Sequence, residues 1–427
     1  MTIEQTAGPR SRTHTVRQAL QAAPGSAVTV MGWIATKSSI GGIKFATLRD
    51  GSGYIQMACK KDRVSEKAFA DFERATRESV VGVDGLIRED KRAPGGKEIS
   101  VTDFWVIQLA DDWPITRSAV KSASFLYDKR HLAIRGRKAS AIIRIRAEIV
   151  YATFDYFVKN GFTLISAPSI VQSAVEGGST LFEINYFGKK AYLSQSAQLY
   201  EEAALGALGK VFIFQPAFRA EKSKTNKHLT EFWMIEAEQA FADQEDNMKL
   251  QENLVKAMAE RVSENRSEDL ASLNRSLKIP EVPFPRITYD EAREISIRKR
   301  ISFEWGDDLP TVGEREVYKE FDSHFFITGY PLSARSFYHM TEDTNDKVTK
   351  SADLIAPEGY GEIATGGQRI HDYDVLTKRI QSQELATESF EWYLELRRFG
   401  MPEHSGFGIG AERTTRWFCG LKHIRGT

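Results

Sequence analysis

Only two cysteines occur in the 427 residues, Cys59 and Cys419. That is too few for a disulfide framework or a four-thiolate metal site, and it suits a reducing compartment. No apolar run approaches the roughly 18 residues that would cross a bilayer. The polar start, Met1 to Arg12, lacks the apolar h-region of a signal peptide. A soluble, cytoplasmic chain with no membrane partner is therefore expected. Net charge is missing as well, because 58 Lys+Arg balance 58 Asp+Glu. Any polyanion must then be held by a local basic patch rather than by the overall field. Neither a GxxxxGK[ST] nor a GxGxxG phosphate loop is present, so a bound nucleotide would be gripped by side chains. Core-forming residues are plentiful: 41% are hydrophobic and 11% aromatic, which excludes a mostly disordered chain. The length suggests about two or three domains.

Short β-like runs fill the sequence from Ala27 to about Leu109, broken by turns such as Asp50-Gly51-Ser52-Gly53. With one helix over Glu66 to Glu78, they read as a five-stranded barrel of the OB-fold plan. Residues 1–26 read as an N-terminal tail, 27–110 as the barrel and 111–139 as a linker rich in basic residues. Residues 140–427 read as a second, larger domain, opened by an amphipathic helix near Ser140. Closely spaced strand pairs there, Phe212-Ile213-Phe214 with Trp233 to Glu236 and Phe325 to Thr328 with Phe337 to Met340, predict an antiparallel sheet. The fold class is α+β.

Three constellations could carry chemistry. In the first, Phe218-Arg219-Ala220-Glu221 leads through Lys222, Lys224, Lys227, His228 and Leu229 to Phe232. An arginine at a strand end can fork onto a phosphate or carboxylate. The loop offers point charges to a polyphosphate, and Phe232 offers a face for a purine. A solvated, charged hairpin would read the same way. The second holds Asp353, Glu362 and Thr365. A carboxylate with a hydroxyl three residues on can place two oxygens on a hard cation such as Mg²⁺, although a Gly-rich surface turn would look similar. The third is Gly406-Phe407-Gly408-Ile409-Gly410-Ala411-Glu412-Arg413. Its alternating glycines let a strand pack tightly beneath a ligand. Arg413, in the first turn of a helix, opposes the helix dipole and so needs an anion beside it.

Together these residues resemble the class II aminoacyl-tRNA synthetases, in the subgroup with an N-terminal OB-fold that serves Asp, Asn and Lys. Gly161-Phe162-Thr163 to Pro168 is similar to motif 1, Phe218 to Glu238 to motif 2, and Gly406 to Arg413 to motif 3. The resemblance implies a catalytic sheet of six to seven antiparallel strands, ATP bent across it, and a homodimer through the motif 1 region around Pro168. It implies that Arg219 bridges the α-phosphate and the amino-acid carboxylate. Glu221 would orient the adenine end or its loop, His228 would reach the γ-phosphate, and Phe232 would stack on adenine. Arg413 would cover the other adenine face and contact the γ-phosphate, with Lys227, Leu229 and Gly410 completing the ATP site. Glu362 and Thr365 would hold Mg²⁺, with Asp353 as a helper. No protein nucleophile is needed, so Arg219 and Arg413 are the expected catalytic residues, acting by positioning and charge neutralisation.

Aspartate enzymes of this subgroup read roughly Gln-Ser-Pro-Gln-Leu-Tyr-Lys where this chain has Gln195-Ser196-Ala197-Gln198-Leu199-Tyr200-Glu201. A glutamate there would accept a hydrogen bond from a carboxamide NH₂ and repel a carboxylate. With Arg369 donating to the amide oxygen, Glu176 meeting the amino group, and Gln198 and Thr365 nearby, L-asparagine is the expected substrate and tRNA(Asn) the expected partner. In the barrel, the resemblance makes Phe45 the stacking residue for the anticodon and Gln56 the partner of its central base, with Trp33 beside them. The tract Lys129, Arg130, Arg135, Arg137 and Lys138 reads either as a contact for the tRNA backbone or as a solvated basic linker. Two alternatives stay open at this point. One is an aspartate enzyme of loose specificity, which the archaeal-aspartyl look of Gly366 to His371 favours. The other is a tRNA-binding paralogue without full activity.

Overall fold

The computed structural model describes residues 10–40, 42–116, 118–172, 181–221 and 225–427. The chain divides into two units between Arg130 and His131. In the first, β1 (Ala27–Ile40), β2 (Ile43–Asp50), β3 (Gly53–Lys60), β4 (Val80–Glu89) and β5 (Lys97–Gln108) close into a barrel in the order β1-β2-β3-β5-β4. Strand alternation decides which residues fill it. Ala46, Leu48, Ile55, Met57, Val81 and Val83 point inward and are buried, while Phe45, Thr47 and Gln56 take the intervening outward positions. The stretch before the barrel is not a bare tail. Helix α1 (Val16–Gln21) is closed by a capping box at Thr15 and buries Val16 and Ala19 in the barrel core. Helix α2 (Glu66–Arg74) starts at the Ser65 cap and stops earlier than the predicted Glu78. Its end is fixed by Lys37, whose Nζ donates to the carbonyls of Phe72, Glu73 and Ala75.

The second unit is built on an eight-stranded sheet. Its strands are β6 (Thr163–Leu164), β7 (Lys210–Phe218), β8 (Glu231–Ala240), β9 (Arg286–Thr288), β10 (Phe325–Thr328), β11 (Ser351–Ala356), β12 (Gly361–Gln368) and β13 (His404–Gly410). The spatial order is β9-β10-β11-β12-β13-β8-β7-β6. The six central strands are antiparallel, as the strand pairs predict, but each edge adds a parallel strand, β9 on β10 and β6 on β7. Helices α3 (Arg137–Lys159) and α5 (Gln244–Asn265) cover one face. Ile142, Ile145, Ile149 and Phe157 of α3 and Leu254, Met258 and Val262 of α5 share one core with Phe212, Ile235, Phe407 and Ile409 of the sheet. Each such side chain contributes about 1.5–3 kcal/mol on burial. Phe337 to Met340, read from sequence as a strand, is a turn with only the bridge from His339 to Arg369. Phe337 and Tyr338 are consecutive and both buried, packed in a core with Phe390 and Tyr393, so the β-like composition marks core contacts rather than a half-buried strand.

Candidate active site

The other face of the sheet holds a cavity of about 350 Å³. Period-two alternation on β8 turns Phe232, Met234, Glu236 and Glu238 toward it, while Ile235 and Ala237 face the core. Next to β8, strand β13 supplies a floor with few side chains. A Cβ on Gly406 would overlap the Glu238 carboxylate, and one on Gly408 would meet Met234 Cε at 2.6 Å. Gly406→Ala is therefore expected to cost about 1–3 kcal/mol of stability, checked by urea titration.

At one end of the cavity the side chains are cationic. The Arg219 guanidinium, just beyond β7, lies 5.5 Å from the centre of the Phe232 ring. Arg413, in the first turn of helix α7 (Ala411–Phe418), finds the anion its position demands in Glu362, at 2.6 Å. Lys227 is held by Glu314 at 2.8 Å. His228 shares a 2.6 Å hydrogen bond with Thr225, and burial together with Arg413 keeps its imidazole below the usual range. Burial would raise the Glu362 carboxyl, but Arg413, Arg335 and Arg219 outweigh it and hold the group below its ordinary value. Thr365 Oγ1 donates to Glu362 at 3.3 Å. Asp353, expected near this pair, does not line the cavity; Arg335 donates to it at 2.7 Å, and the guanidinium stacks 3.6 Å from Tyr330.

The opposite end is acidic. Glu201, on helix α4 (Gln198–Leu208), is fully buried, and neither carboxylate oxygen has a hydrogen-bond partner among the described residues. Burial, with Glu236 and Glu238 close by, pushes its carboxyl well above the usual range, and Arg369 opposes that rise. Glu238 accepts three bonds from Arg369, the shortest 2.5 Å, yet burial still lifts it to about 7. Glu236 is tied to the Ser196 hydroxyl and accepts from Ala197 N at 3.0 Å.

The cavity thus joins a set of forked and point cations, with a half-buried aromatic ring, to an end where a buried carboxyl group has no hydrogen-bond partner among the described residues. The model of the family described as tRNA synthetases class II (D, K and N) matches residues 122–427, and that of the OB-fold nucleic acid binding domain matches residues 28–107. The chain belongs to the class II aminoacyl-tRNA synthetases. Among relatives of this synthetase, an asparagine–tRNA ligase of Desulforamulus reducens is 47% identical over 403 residues, covering 94% of each chain. One of Pyrococcus horikoshii is 45% identical over 406 residues, covering 94% of this chain and 93% of its own. The crystal structure of asparaginyl-tRNA synthetase from Pyrococcus horikoshii complexed with asparaginyl-adenylate superposes with a TM-score of 0.91 at 43% identity, over 94% of each chain.

In this synthetase, thirteen residues singled out from sequence line this cavity together: Gln198, Glu201, Arg219, Glu221, Lys227, His228, Leu229, Phe232, Glu362, Thr365, Arg369, Gly410 and Arg413. Glu176 lies outside the described residues, as do Lys222 and Lys224. Sequence reasoning missed Glu236, Glu238, Asp308 and Arg335, which line it too. The two β8 acids were within reach, since they share strand parity with Phe232.

On the barrel, Phe45 pairs with Ala58 and Gln56 with Thr47, placing both on one outer face. Gln56 Nε2 donates to Glu98 at 2.9 Å. Trp33 is 38% exposed, not core, and faces Arg49 across the β1–β2 ladder. It lies four residues along β2 from Phe45, about 13 Å at strand rise. Lys129, Arg135, Arg137 and Lys138 are exposed, and Arg130 is half-buried.

Proposed function

We propose that this chain is an asparagine–tRNA ligase. It condenses L-asparagine with ATP to asparaginyl-adenylate and pyrophosphate, then passes the acyl group to the terminal adenosine of tRNA(Asn) with release of AMP. The observation that carries this reading is that one cavity holds Arg219, Phe232 and Arg413 at one end and Glu201 with Arg369 at the other. In the first step a substrate carboxylate oxygen attacks the α-phosphorus as the bond to the leaving pyrophosphate breaks. Arg219 can fork onto both reactants, fixing the line of attack and neutralising charge on the equatorial oxygens. Phe232 supports the purine. Arg413 and His228 face the departing phosphates, Arg413 exchanging Glu362 for them. At the far end Glu201 accepts from the carboxamide NH₂, and Arg369 donates to the carboxamide oxygen. Glu176 is assigned to the amino group.

Among the described residues no group of three or more His, Cys, Asp or Glu is arranged to hold a metal. Glu362 and Thr365 offer one carboxylate and one hydroxyl, a donor set that suits a hard cation completing its shell with phosphate and water oxygens. They would hold Mg²⁺, which when bound neutralises charge on the phosphates. Asp353 is left out of this set because it does not line the cavity, and Arg335 holds its Oδ2.

ATP–pyrophosphate exchange with asparagine and with aspartate tests the reading. Exchange supported by asparagine is expected; a preference for aspartate, or tRNA binding without any exchange, would overturn it. For the barrel, Phe45→Ala and Gln56→Ala should each raise KM for tRNA about ten- to a hundredfold, as expected for a lost base stack or edge contact. Exchange without tRNA should be unchanged in both. The homodimer is proposed to form along α3, where Ile143, Tyr151 and Val158 stand exposed at spacings that place them on one side of the helix, and around Pro168. No helix among the described residues is long and apolar enough to cross a membrane. With both thiols buried and free, the proposed compartment is the cytoplasm.

A further inference from the structure

The carboxylate next to Glu201 has no place in the chemistry above, yet it is among the most heavily bonded groups in the molecule. Glu202 is fully buried. Its Oε2 accepts from Arg397 Nη2 at 2.5 Å and from Tyr393 Oη at 2.7 Å, and it lies 3.0 Å from His404 Nε2. Its Oε1 accepts from Gln198 Nε2 at 3.0 Å. The other ring nitrogen of His404 lies 2.8 Å from the Pro402 carbonyl. Both ring nitrogens of His404 therefore lie against oxygen atoms. Glu202 thus gathers helix α4, helix α6 (Glu391–Arg398) and strand β13 around one negative charge.

We infer that Glu202 is a positioning residue that turns Gln198 into a fixed hydrogen-bond acceptor for the ammonium group of the substrate amino acid. A glutamine amide is nearly symmetric in shape and can present either NH₂ or oxygen to a ligand. A carboxylate ringed by donors takes only another donor, so the Gln198 NH₂ is committed to Glu202. The amide oxygen is then the group offered to the cavity that Gln198 lines. A flipped amide would point two N–H donors at a cation. The backbone is fixed too, because Gln198 N donates to Ser196 Oγ at 3.1 Å. The same hub steadies the opposite wall, since Arg397 Nε donates to the carbonyl of Ile370, next to Arg369.

This inference rests on the asparagine-activating reading, and a double-mutant cycle on the full chain separates the two. Exchange kinetics are measured for wild type, Glu202→Gln, Gln198→Ala and the double variant, varying asparagine and ATP in turn. Glu202→Gln is expected to raise KM for asparagine about tenfold while KM for ATP stays within about twofold. In the Gln198→Ala background the same change should add nothing to KM for asparagine, because the residue it acts through is gone. Multiplication of the two single effects, or a parallel rise of both KM values, would overturn the assignment. Should Glu202→Gln fail to fold, Glu202→Asp keeps the anion beside Arg397 and His404 and is put through the same cycle. A wild type without asparagine-dependent exchange would instead sink the proposed function itself.

Discussion

Arg219→Ala is expected to lower asparagine-dependent ATP–pyrophosphate exchange about a thousandfold or more, at unchanged thermal stability. One preorganised donor aimed at developing charge is worth about 10²–10³ in rate, and Arg219 is placed to supply two, one to each reactant. Its removal forfeits both the alignment of the attacking carboxylate and the neutralisation of the phosphoryl oxygens. Stability should not suffer. The side chain lines the cavity, over Phe232, rather than packing in the core. Arg219→Lys should recover only part of the loss, since an ammonium cannot fork. Exchange within about tenfold of wild type in the alanine variant would show that the phosphate and carboxylate meet elsewhere.

Glu201→Lys is expected to move the ratio of kcat/KM for asparagine over aspartate at least about a hundredfold toward aspartate, an effect of about 3 kcal/mol. The change places a cation where a carboxyl group meets the only atoms in which the two substrates differ. The new ammonium would arrive beside Glu236 and Glu238, which now raise the Glu201 carboxyl by repulsion, so its charge would be compensated and the fold should tolerate it. Competition between the two amino acids in the exchange assay reads the ratio directly. An unchanged ratio would pass the side-chain contact to Glu236, which lines the same end of the cavity, and Glu236→Gln would then carry the shift.

Much of this site is written locally. The Arg219 to Phe232 hairpin, the Glu362–Thr365 pair and the alternating glycines of β13 are each contained in a short stretch, so residue type and spacing disclose them. The barrel is legible for the same reason, because its strands alternate between buried and outward positions and are punctuated by turns. What stayed hidden depends on contacts across sequence. Glu202 meets Arg397 and His404, which lie 195 and 202 residues away, and nothing in Gln198-Leu199-Tyr200-Glu201-Glu202 says which glutamate faces the cavity and which the hub. Asp353 reads as a neighbour of the Glu362–Thr365 pair, but only the fold shows it outside the cavity lining and paired with Arg335, 18 residues earlier. The edge strands β6 and β9 are only two and three residues long, too short for a periodic signal.

The scarcity of side chains along β13 has a consequence for how such a pocket can change. Where a strand contributes backbone alone at Gly406 and Gly408, with Glu238 and Met234 already filling the space above it, no single replacement there can retune preference without first evicting a neighbour. Evolutionary drift between related substrates is thereby steered onto helix α4 and strands β8 and β12, leaving the glycine rail as a fixed datum against which every other wall is measured.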